Sequence, residues 1–417
     1  MNQGLQRATA DAESATGGQK GRIRTDWPAV AFGIALASLV AFQQFKLPPV
    51  LPVLLADYHW DRTLAGAMMA VYAVAGLLFS IPIGNALQRY GILRPLLAAL
   101  LLLLGGDLLS LAWPQQGWLV LGSRGLEGVA FALGAIAGPA LANRSASPRD
   151  LGLIVGLTAT WIPIGQLLAT GLALVLPNWQ SLWLAGAAAT CAMALWSLSL
   201  RHHEALALPP ASALRSLSAT MNQRRLLYLA GTIFLLWSMQ YFAFMTWLPQ
   251  YLVEVMALSP AAASAAYALP VAVLLGCNIL TGLALGRGLP LGPTLVVALF
   301  SQALVWWLIP FSQGPVGGVA SLVLYGIGAG VTPTCLFAMP GAILGGAGAP
   351  TAFGIIMTGR NIGVFLGPIL LAEVTKTLGS WSAAWPAFGS TSLVAVLAAG
   401  ALATLLRRRD AAQGTSR

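Results

Sequence analysis

Long apolar segments dominate this chain of 417 residues. Each is about 20 residues or longer, which is enough for a helix to cross a hydrocarbon core of ~30 Å. Inside a membrane only helices and closed barrels satisfy all their backbone groups, and segments of this length are typical of helices. The twelve segments fall at 28–56, 64–88, 92–113, 118–142, 151–176, 181–200, 226–253, 260–285, 291–311, 316–344, 351–377 and 382–406. The sequence therefore predicts an all-α integral membrane protein with twelve transmembrane helices.

The composition leaves too few charges for a surface that faces water. Only 8% of the residues are charged and 58% are hydrophobic, whereas a soluble protein carries ~25% charged residues. The lipid bilayer is thus the expected partner of most of the outer surface. The net charge of +10 raises the question of nucleic-acid binding. Because the basic residues lie in short connections and form no basic face, we expect no nucleic-acid partner.

The basic residues are concentrated in alternate connections between the apolar segments. One set of connections and tails contains Arg7, Lys20, Arg22, Arg24, Arg89, Arg94, Arg144, Arg149, Arg201, Arg215, Arg224, Arg225, Arg287, Arg407, Arg408 and Arg409. The opposite set contains only Arg62 and Lys376. Since positive connections stay on the cytoplasmic side, both termini are predicted to be cytoplasmic. The expected location is the cell (inner) membrane.

Short repeats relate the two halves of the chain. "GNALQR" at 84–89 recurs as "GLALGR" at 282–287, "LPVLLAD" at 51–57 as "LPQYLVE" at 248–254, and "WQSLW" at 179–183 as "WSAAW" at 381–385. Their nearly constant offset indicates a duplicated six-helix unit, and two such pseudo-symmetric bundles are the layout of rocker-switch transporters. The predicted parts are a disordered cytoplasmic tail at 1–26, an N-terminal bundle at 27–200, a cytoplasmic linker at 201–225, a C-terminal bundle at 226–406 and a basic tail at 407–417.

Two motifs resemble those of the major facilitator superfamily. "GNALQRYGILR" resembles its cytoplasmic Gly-x-x-x-Asp-Arg-x-Gly-Arg-Arg signature, although Gln88 stands at the acidic position, and "LGSRGLEGVAFALG" resembles its Arg-x-x-x-Gly motif. The resemblance implies the major facilitator fold and alternating access. "QYFAFMTWLPQYLVE" and "GRNIGVFLGPIL" are similar to the cyanate/nitroimidazole permease branch, which implies a small anion or a small polar organic molecule as cargo.

Five ionisable residues lie well inside the predicted spans: Lys46, Asp107, Arg124, Glu127 and Arg360. Each costs ~2.5–3.5 kcal/mol to insert, so an intramembrane charge indicates a functional site. From the helical rise, Lys46 and Glu127 lie at a similar depth of ~15 Å, and Asp107 and Arg124 at ~10 Å. With the helix arrangement that the resemblance implies, we expect a Lys46–Glu127 pair and an Asp107–Arg124 pair.

These charges suggest separate roles in binding and coupling. Lys46 and Arg360, from opposite bundles, are predicted to hold an anionic substrate. Glu127, with Arg124 and Asp107 beside it, is predicted to take up the coupling proton. The alternative is that all five form structural ion pairs between helices.

Further binding and gating residues follow from position. Gln43 precedes Lys46 by one helical turn and is predicted to contact the substrate. Gln240, Tyr241 and Trp247 recur at roughly helical spacing and are predicted to do the same, although an aromatic packing stripe explains their spacing equally well. Asn361, which follows Arg360, is a further candidate for substrate binding. Gln166 is a weaker candidate of the same kind. Arg89, Arg94 and Arg287 are predicted to form an inner gate by binding the carbonyl ends of facing helices.

The predicted function is secondary active transport, with proton-coupled uptake of a small organic or inorganic anion by a monomer. The alternatives are a proton-antiport exporter of a drug or metabolite and a transporter-like membrane sensor. No nucleotide-binding loop or hydrolase motif occurs, so we expect no enzyme activity and no cofactor. The three cysteines lie far apart in the chain, so we also expect no metal site.

Overall fold

The computed structural model describes residues 24–147, 149–150, 154, 157–158, 160–201, 220–312, 314–344 and 349–414. The first half contains α1 (Trp27–Phe45), α2 (Leu47–Tyr58), α3 (Arg62–Tyr90), α4 (Leu93–Ala112), α5 (Gly117–Arg144), α6 (Trp161–Val175) and α7 (Trp179–Ser199). The second half contains α8 (Met221–Glu254), α9 (Pro260–Gly286), α10 (Leu291–Leu308), a 3-10 turn (Ile309–Phe311), α11 (Pro315–Leu344), α12 (Ala349–Leu378) and α13 (Trp381–Gly414).

The predicted all-α membrane fold is confirmed. Within the described residues, eleven helical segments are long and apolar enough to cross a membrane, with α1 and α2 counted together as one. The predicted span at 151–176 corresponds to the shorter apolar helix α6, and most of residues 151–159 lie outside the described residues. Helix α8 starts at Met221, inside the predicted linker, and α13 extends beyond residue 406 into the predicted tail. Residues 1–23 and 202–219, where the rest of the predicted tail and linker fall, lie outside the described residues.

Local sequence signals set where several helices begin. Asp61 accepts hydrogen bonds from the backbone N–H groups of Thr63 and Leu64 at the start of α3, and Asn178 accepts one from Ser181 at the start of α7. At α8, Thr220 and Gln223 cap each other's backbone in a capping box. These side chains satisfy N–H groups that have no partner within the helix.

The first span is broken at Lys46, between α1 and α2. Pro48 and Pro49 follow the break, and proline has no N–H to donate to the carbonyl four residues earlier. The carbonyls of Gln44 and Phe45 therefore lose their usual helical donors. The break sets Lys46 at the junction of two helices, deep in the first half.

Helices from the two halves meet in four main pairs. Helix α3 packs against α12, α6 packs against α9, and α2 packs against α8 and α9. The α3–α12 contact is close: a Cβ atom added at Gly66 would lie 2.7 Å from the carbonyl oxygen of Pro368. Glycine is needed there because any larger side chain would push the two helices apart.

One end of the molecule, which we call the Asp61 end, is closed by polar contacts between the halves. Arg62 Nη2 lies 2.5 Å from Glu254 Oε1, Lys376 Nζ lies 3.8 Å from Asp61 Oδ1, and the Thr63 hydroxyl donates to Glu373. A cleft of about 500 Å³ lies among these residues. Between described residues, every ion pair that joins the two halves lies at this end.

Candidate transport site

Four of the five predicted intramembrane charges lie together in the first half. Lys46 comes from the α1–α2 break, Asp107 from α4, and Arg124 and Glu127 from α5. All four side chains have 0% exposure. We call these four residues the charge cluster. Two cations and two carboxylates give the cluster no net formal charge, which lowers the cost of burying it.

Lys46 is fully occupied by partners within the first half. Its ammonium donates to Asp107 Oδ1, to Glu127 Oε1 at 3.2 Å and to Gln43 Oε1 at 2.5 Å, and lies 4.6 Å from the centroid of the Trp183 ring. The Lys46–Glu127 contact agrees with the expected pair. All of these partners belong to the first half, whereas the sequence predicts that Lys46 holds the substrate together with Arg360 of the second half.

Arg124 binds the broken end of α1. Its guanidinium donates to the carbonyl oxygens of Gln43 at 2.8 Å and Gln44 at 2.7 Å, and to Glu127 Oε2 at 2.7 Å. Because Pro48 cannot donate to the Gln44 carbonyl, the guanidinium supplies the missing hydrogen bond. The expected Asp107–Arg124 pair is wrong. Asp107 pairs with Lys46, and Arg124 binds Glu127 and the carbonyl oxygens at the helix break.

Gln43 orients the cluster. Its Nε2 donates to Asp107 Oδ2 at 2.7 Å and to the Thr190 hydroxyl at 3.2 Å, while its Oε1 accepts from Lys46. Glycine makes space for this arrangement, because a Cβ atom at Gly186 would lie 2.9 Å from Gln43 Nε2. Both ends of the amide are thus bonded within the first half, in contrast to the predicted contact with substrate.

Tyr72 on α3 is a member of this site that the sequence reasoning did not identify. Its hydroxyl donates to Glu127 Oε2 and lies 3.2 Å from the Gln43 carbonyl oxygen. Its ring lies 4.6 Å from the guanidinium carbon of Arg124 and is fully buried. A tyrosine inside an apolar segment carries no sequence signal that separates this position from ordinary packing.

Arg360 on α12 has a different environment. It is 7% exposed, donates to Asn361 Oδ1 at 3.1 Å and lies 5.6 Å from the centroid of the Phe242 ring. Among the described residues, no carboxylate lies within ion-pair distance of it. Phe242 in turn contacts Phe45 of the first half, with ring centroids 5.8 Å apart. Arg360 is therefore a buried cation close to where the halves meet.

A polar bridge crosses between the halves beside this region. Tyr241 donates to Gln166 Oε1 at 3.1 Å, and Gln166 Nε2 donates to the Tyr267 hydroxyl at 2.6 Å. Gln166 belongs to α6, whereas the two tyrosines belong to α8 and α9. The Tyr241 ring stacks on Trp237, with centroids 5.0 Å apart, and contacts Phe242 edge-on.

Two of the residues predicted to bind substrate lie inside the second half. Gln240 Oε1 accepts from Trp306 Nε1 at 2.6 Å and from the Tyr325 hydroxyl at 3.2 Å. Trp247 Nε1 donates to the Pro368 carbonyl at 2.9 Å, and the Trp247 side chain is fully buried. Both side chains contact neighbouring helices of their own half, whereas Tyr241 contacts Gln166 of the first half.

The predicted gate residues are exposed. Arg89, Arg94 and Arg287 all lie at the surface, and the Arg89 guanidinium lies 5.2 Å from the Tyr90 ring. Among the described residues, no recorded polar contact ties these arginines to the opposite half. The structure does not describe the side chains of residues 84–88, which include Gln88. The resemblance of this segment to the family signature therefore stays a prediction.

No group of three or more His, Cys, Asp or Glu side chains that could hold a metal ion occurs in the described part of the chain. The two carboxylates of the charge cluster are engaged by Lys46 and Arg124. Each carboxylate of the cluster is thus already paired with a cation from the same half.

Comparison with known proteins identifies the family. The family model described as Major Facilitator Superfamily matches residues 33–368. The uncharacterized transporter YgaY of Escherichia coli O157:H7 is 31% identical over 176 residues, which are 40% of this chain and 42% of that protein. The tetracycline resistance protein, class B, of Escherichia coli is 33% identical over 123 residues, which are 26% of this chain and 30% of that protein. The chain thus spans less than half the length of these curated relatives.

The fold has a solved counterpart in the nucleoside transporter NupG. The two structures superpose with a TM-score of 0.68 at 15% sequence identity, covering 89% of this chain and 99% of the other. At that identity the likeness shows the fold alone. The family match across most of the spanning region completes the assignment: the chain belongs to the Major Facilitator Superfamily and is a multi-pass membrane protein.

Proposed function

We propose that the protein takes up a small organic or inorganic anion together with protons, and that Arg360 is the main anion-binding residue. The observation that carries the proposal is the burial of Arg360 without a carboxylate partner among the described residues. A buried cation without a counterion is costly. An anionic substrate bound at the guanidinium would supply the missing charge.

The surroundings of Arg360 fit such a ligand. Phe242 and Tyr241 provide flat apolar surfaces, and Asn361 holds one guanidinium nitrogen while leaving the rest of the fork available. A guanidinium binds carboxylates and similar oxyanions through two parallel hydrogen bonds. Lys46 is less suited to this role because three oxygen acceptors already surround its ammonium.

The charge cluster fits the coupling role. Glu127 bonds with Lys46, Arg124 and Tyr72. A proton on Glu127 would leave the cluster with one uncompensated positive charge, and this charge would favour an anion elsewhere in the protein. Asp107 is the second carboxylate available to the proton, in contact with Lys46 and Gln43.

Alternating access supplies the transport step. The Asp61 end is closed, so in this state substrate would enter or leave at the opposite end, which the basic-residue pattern predicts to be cytoplasmic. Opening the Asp61 end requires breaking the contacts that Arg62 and Thr63 make with the second half. The Arg360 region, beside the contact of the halves, would then face the other side.

The test is uptake by proteoliposomes that hold the purified protein. Under an imposed proton gradient, radiolabelled formate, nitrate and benzoate are offered to the wild type, Arg360→Gln and the matched control Arg408→Gln, whose side chain is exposed on α13. We expect uptake by the wild type and the control, and loss of at least ~10-fold in Arg360→Gln, since a charged hydrogen bond is worth ~1.5–3 kcal/mol. Equal uptake by Arg360→Gln and the wild type would reject the anion site at Arg360. Uptake that does not depend on the proton gradient would reject the coupling to protons.

Export by proton antiport is the second candidate, because a tetracycline resistance protein is among the relatives. The same vesicles distinguish symport from antiport. Symport moves protons in the direction of the anion, whereas antiport moves them against the cargo. A dye enclosed in the vesicles reports the internal pH and therefore the direction.

A further inference from the structure

Helix α3 lies between the charge cluster and the Arg360 region. On one side it packs against α5, where a Cβ atom at Gly128 would lie 3.1 Å from the Tyr72 Cα atom. On the other side it packs against α12 of the second half, where Gly66 approaches Pro368. Close-packed helices cannot deform continuously, so a shift of α3 at one contact must be accommodated at the other.

Tyr72 and Gly76 mark these two contacts on α3. The Tyr72 hydroxyl donates to Glu127 in the charge cluster. One helical turn further, a Cβ atom at Gly76 would lie 3.6 Å from Asn361 Nδ2, and Asn361 Oδ1 accepts from Arg360. Four residues of helix span only ~6 Å. The two candidate sites, in opposite halves, thus touch α3 one turn apart.

We propose that Tyr72 is a positioning residue that couples protonation of the charge cluster to anion binding at Arg360. The inference rests on the proposed function and names the residue that links its two sites. While Glu127 is ionised, the Tyr72 hydroxyl donates to a charged oxygen and holds α3 against α5. A proton on Glu127 neutralises that oxygen, and a neutral hydrogen bond is about half as strong. Helix α3 is then free to adjust at Asn361 and Arg360.

The groups that face Glu127 are few. Lys46 faces it from the α1–α2 break, Tyr72 from α3 and Arg124 from α5 itself, while Asp107 on α4 reaches it through Lys46. Of these, Tyr72 lies on α3, whose Gly76 approaches Asn361 beside Arg360. Lys46 follows Phe45, which reaches the second half at Phe242 through a contact between apolar rings. Coupling is reciprocal, so anion binding at Arg360 would in turn favour proton uptake by Glu127.

The test is the pH dependence of anion affinity in Tyr72→Phe. Phenylalanine keeps the ring that packs against Phe131 and removes only the hydroxyl. Isothermal titration of detergent-purified protein with formate, nitrate and benzoate is performed at about pH 6 and about pH 8, where these probes stay ionised. For the wild type we expect at least ~5-fold tighter binding at the lower pH, within the usual range of coupling. In Tyr72→Phe, where this hydrogen bond no longer holds α3, the ratio falls below ~2-fold because affinity at the higher pH rises toward the wild-type affinity at the lower pH.

Two further variants make the outcome specific. Tyr325→Phe removes another buried hydroxyl, which donates to Gln240 in the second half, and should keep the wild-type ratio. In a Glu127→Gln background, where no proton can be gained, Tyr72→Phe should change affinity no further; non-additivity of this kind marks residues that act together.

Failure of the inference and failure of the proposed function are distinguishable. A wild type that binds none of the probes, or binds them equally at both pH values, rejects the proposed function. A Tyr72→Phe protein that keeps the full pH ratio rejects the coupling role. Loss of binding at both pH values in Tyr72→Phe, with thermal unfolding unchanged, also rejects it, because the hydroxyl would then serve the anion site itself.

Discussion

The charge cluster and Arg360 both bury cations inside the membrane-spanning helices, yet these cations are stabilised in different ways. In the cluster, Lys46 and Arg124 face two carboxylates and the open carbonyls of a broken helix. Arg360 faces an aromatic ring and one amide oxygen. Burial alone therefore does not indicate the role of a charge. The cluster is internally balanced, whereas Arg360 has no carboxylate partner among the described residues.

The largest expected difference between the two regions is in stability. Asp107→Leu leaves Lys46 with a single carboxylate inside the first half, and breaking a buried pair costs ~3–5 kcal/mol. Arg360→Met removes a cation that has no carboxylate partner among the described residues, so its free energy of unfolding should stay equal to the wild type or rise. Thermal unfolding in detergent measures both variants. A lower Tm for Arg360→Met than for Asp107→Leu would contradict the comparison.

Replacing arginine by lysine should separate the regions next. Arg124→Lys retains the charge but loses the fork that binds Glu127 and two carbonyls, with an expected loss of ~1.5–3 kcal/mol. Arg360→Lys retains the charge beside Phe242 and should unfold like the wild type while binding anions more weakly. Unfolding and anion titration of both variants, with exposed Arg408→Lys as the control, provide the measurement. Equal stability of all three would mean that the helix break does not depend on the guanidinium.

A smaller effect tests why the cluster needs Arg124. Pro48→Ala restores an N–H that can donate to the Gln44 carbonyl, which then depends less on Arg124. We expect a change within ~1 kcal/mol for the single substitution and a less than additive loss when it is combined with Arg124→Lys. The double-mutant cycle is measured by thermal unfolding. Strict additivity would show that the proline break and the arginine act independently.

The smallest effect lies at the exposed Asp61 end, outside the membrane-spanning segments. Burial raises the pKa of Asp61, but hydrogen bonds from the Leu64 and Thr63 backbone and the nearby Lys376 charge outweigh it, so the pKa lies below its usual value. The stabilisation is complete above the usual pKa and is lost as the pH falls through the lowered one. The ion pair itself is worth ~0–1 kcal/mol, since both side chains are more than half exposed.

The measurement for this ion pair is accessibility rather than stability. A cysteine introduced at Ser380, which lines the cleft at the Asp61 end, is labelled with an impermeant thiol reagent. Lys376→Gln should increase the labelling rate slightly, ~2-fold at most. High salt should increase the rate less in the variant, where only the Arg62–Glu254 pair remains to be screened, than in the protein with Lys376. An identical rate in both proteins would mean that the Lys376–Asp61 contact does not help to close this end.

Much of the candidate site followed from chemistry that the sequence makes visible. Charges inside apolar segments are conspicuous, and four of the five proved to lie in one cluster. The depth argument anticipated Lys46–Glu127 but paired Asp107 with the wrong cation. Counting residues from a helix end gives the depth of a side chain in the membrane. Which two charges form an ion pair also depends on how each helix is rotated and on the Gln44 carbonyl, which lacks a donor at Pro48 and binds Arg124 instead. A hydropathy pattern shows neither of these.

The contacts of three other residues depend on tertiary packing in the same way. Gln240 and Trp247 lie on the expected helix but contact Trp306 and Pro368 inside the second half. Tyr72 was not identified because a tyrosine in an apolar segment is most often a packing residue, and its bond to Glu127 depends on the approach of α3 to α5.

The sequence by itself determined the membrane fold, the apolar segments, the internal repeat and the set of costly charges, because these follow from the transfer of residues between water and lipid. Only the tertiary structure decided which charges neutralise one another and which remains available. That choice depends on distances of a few ångströms between helices that are far apart in the chain, and local composition carries no information about such distances.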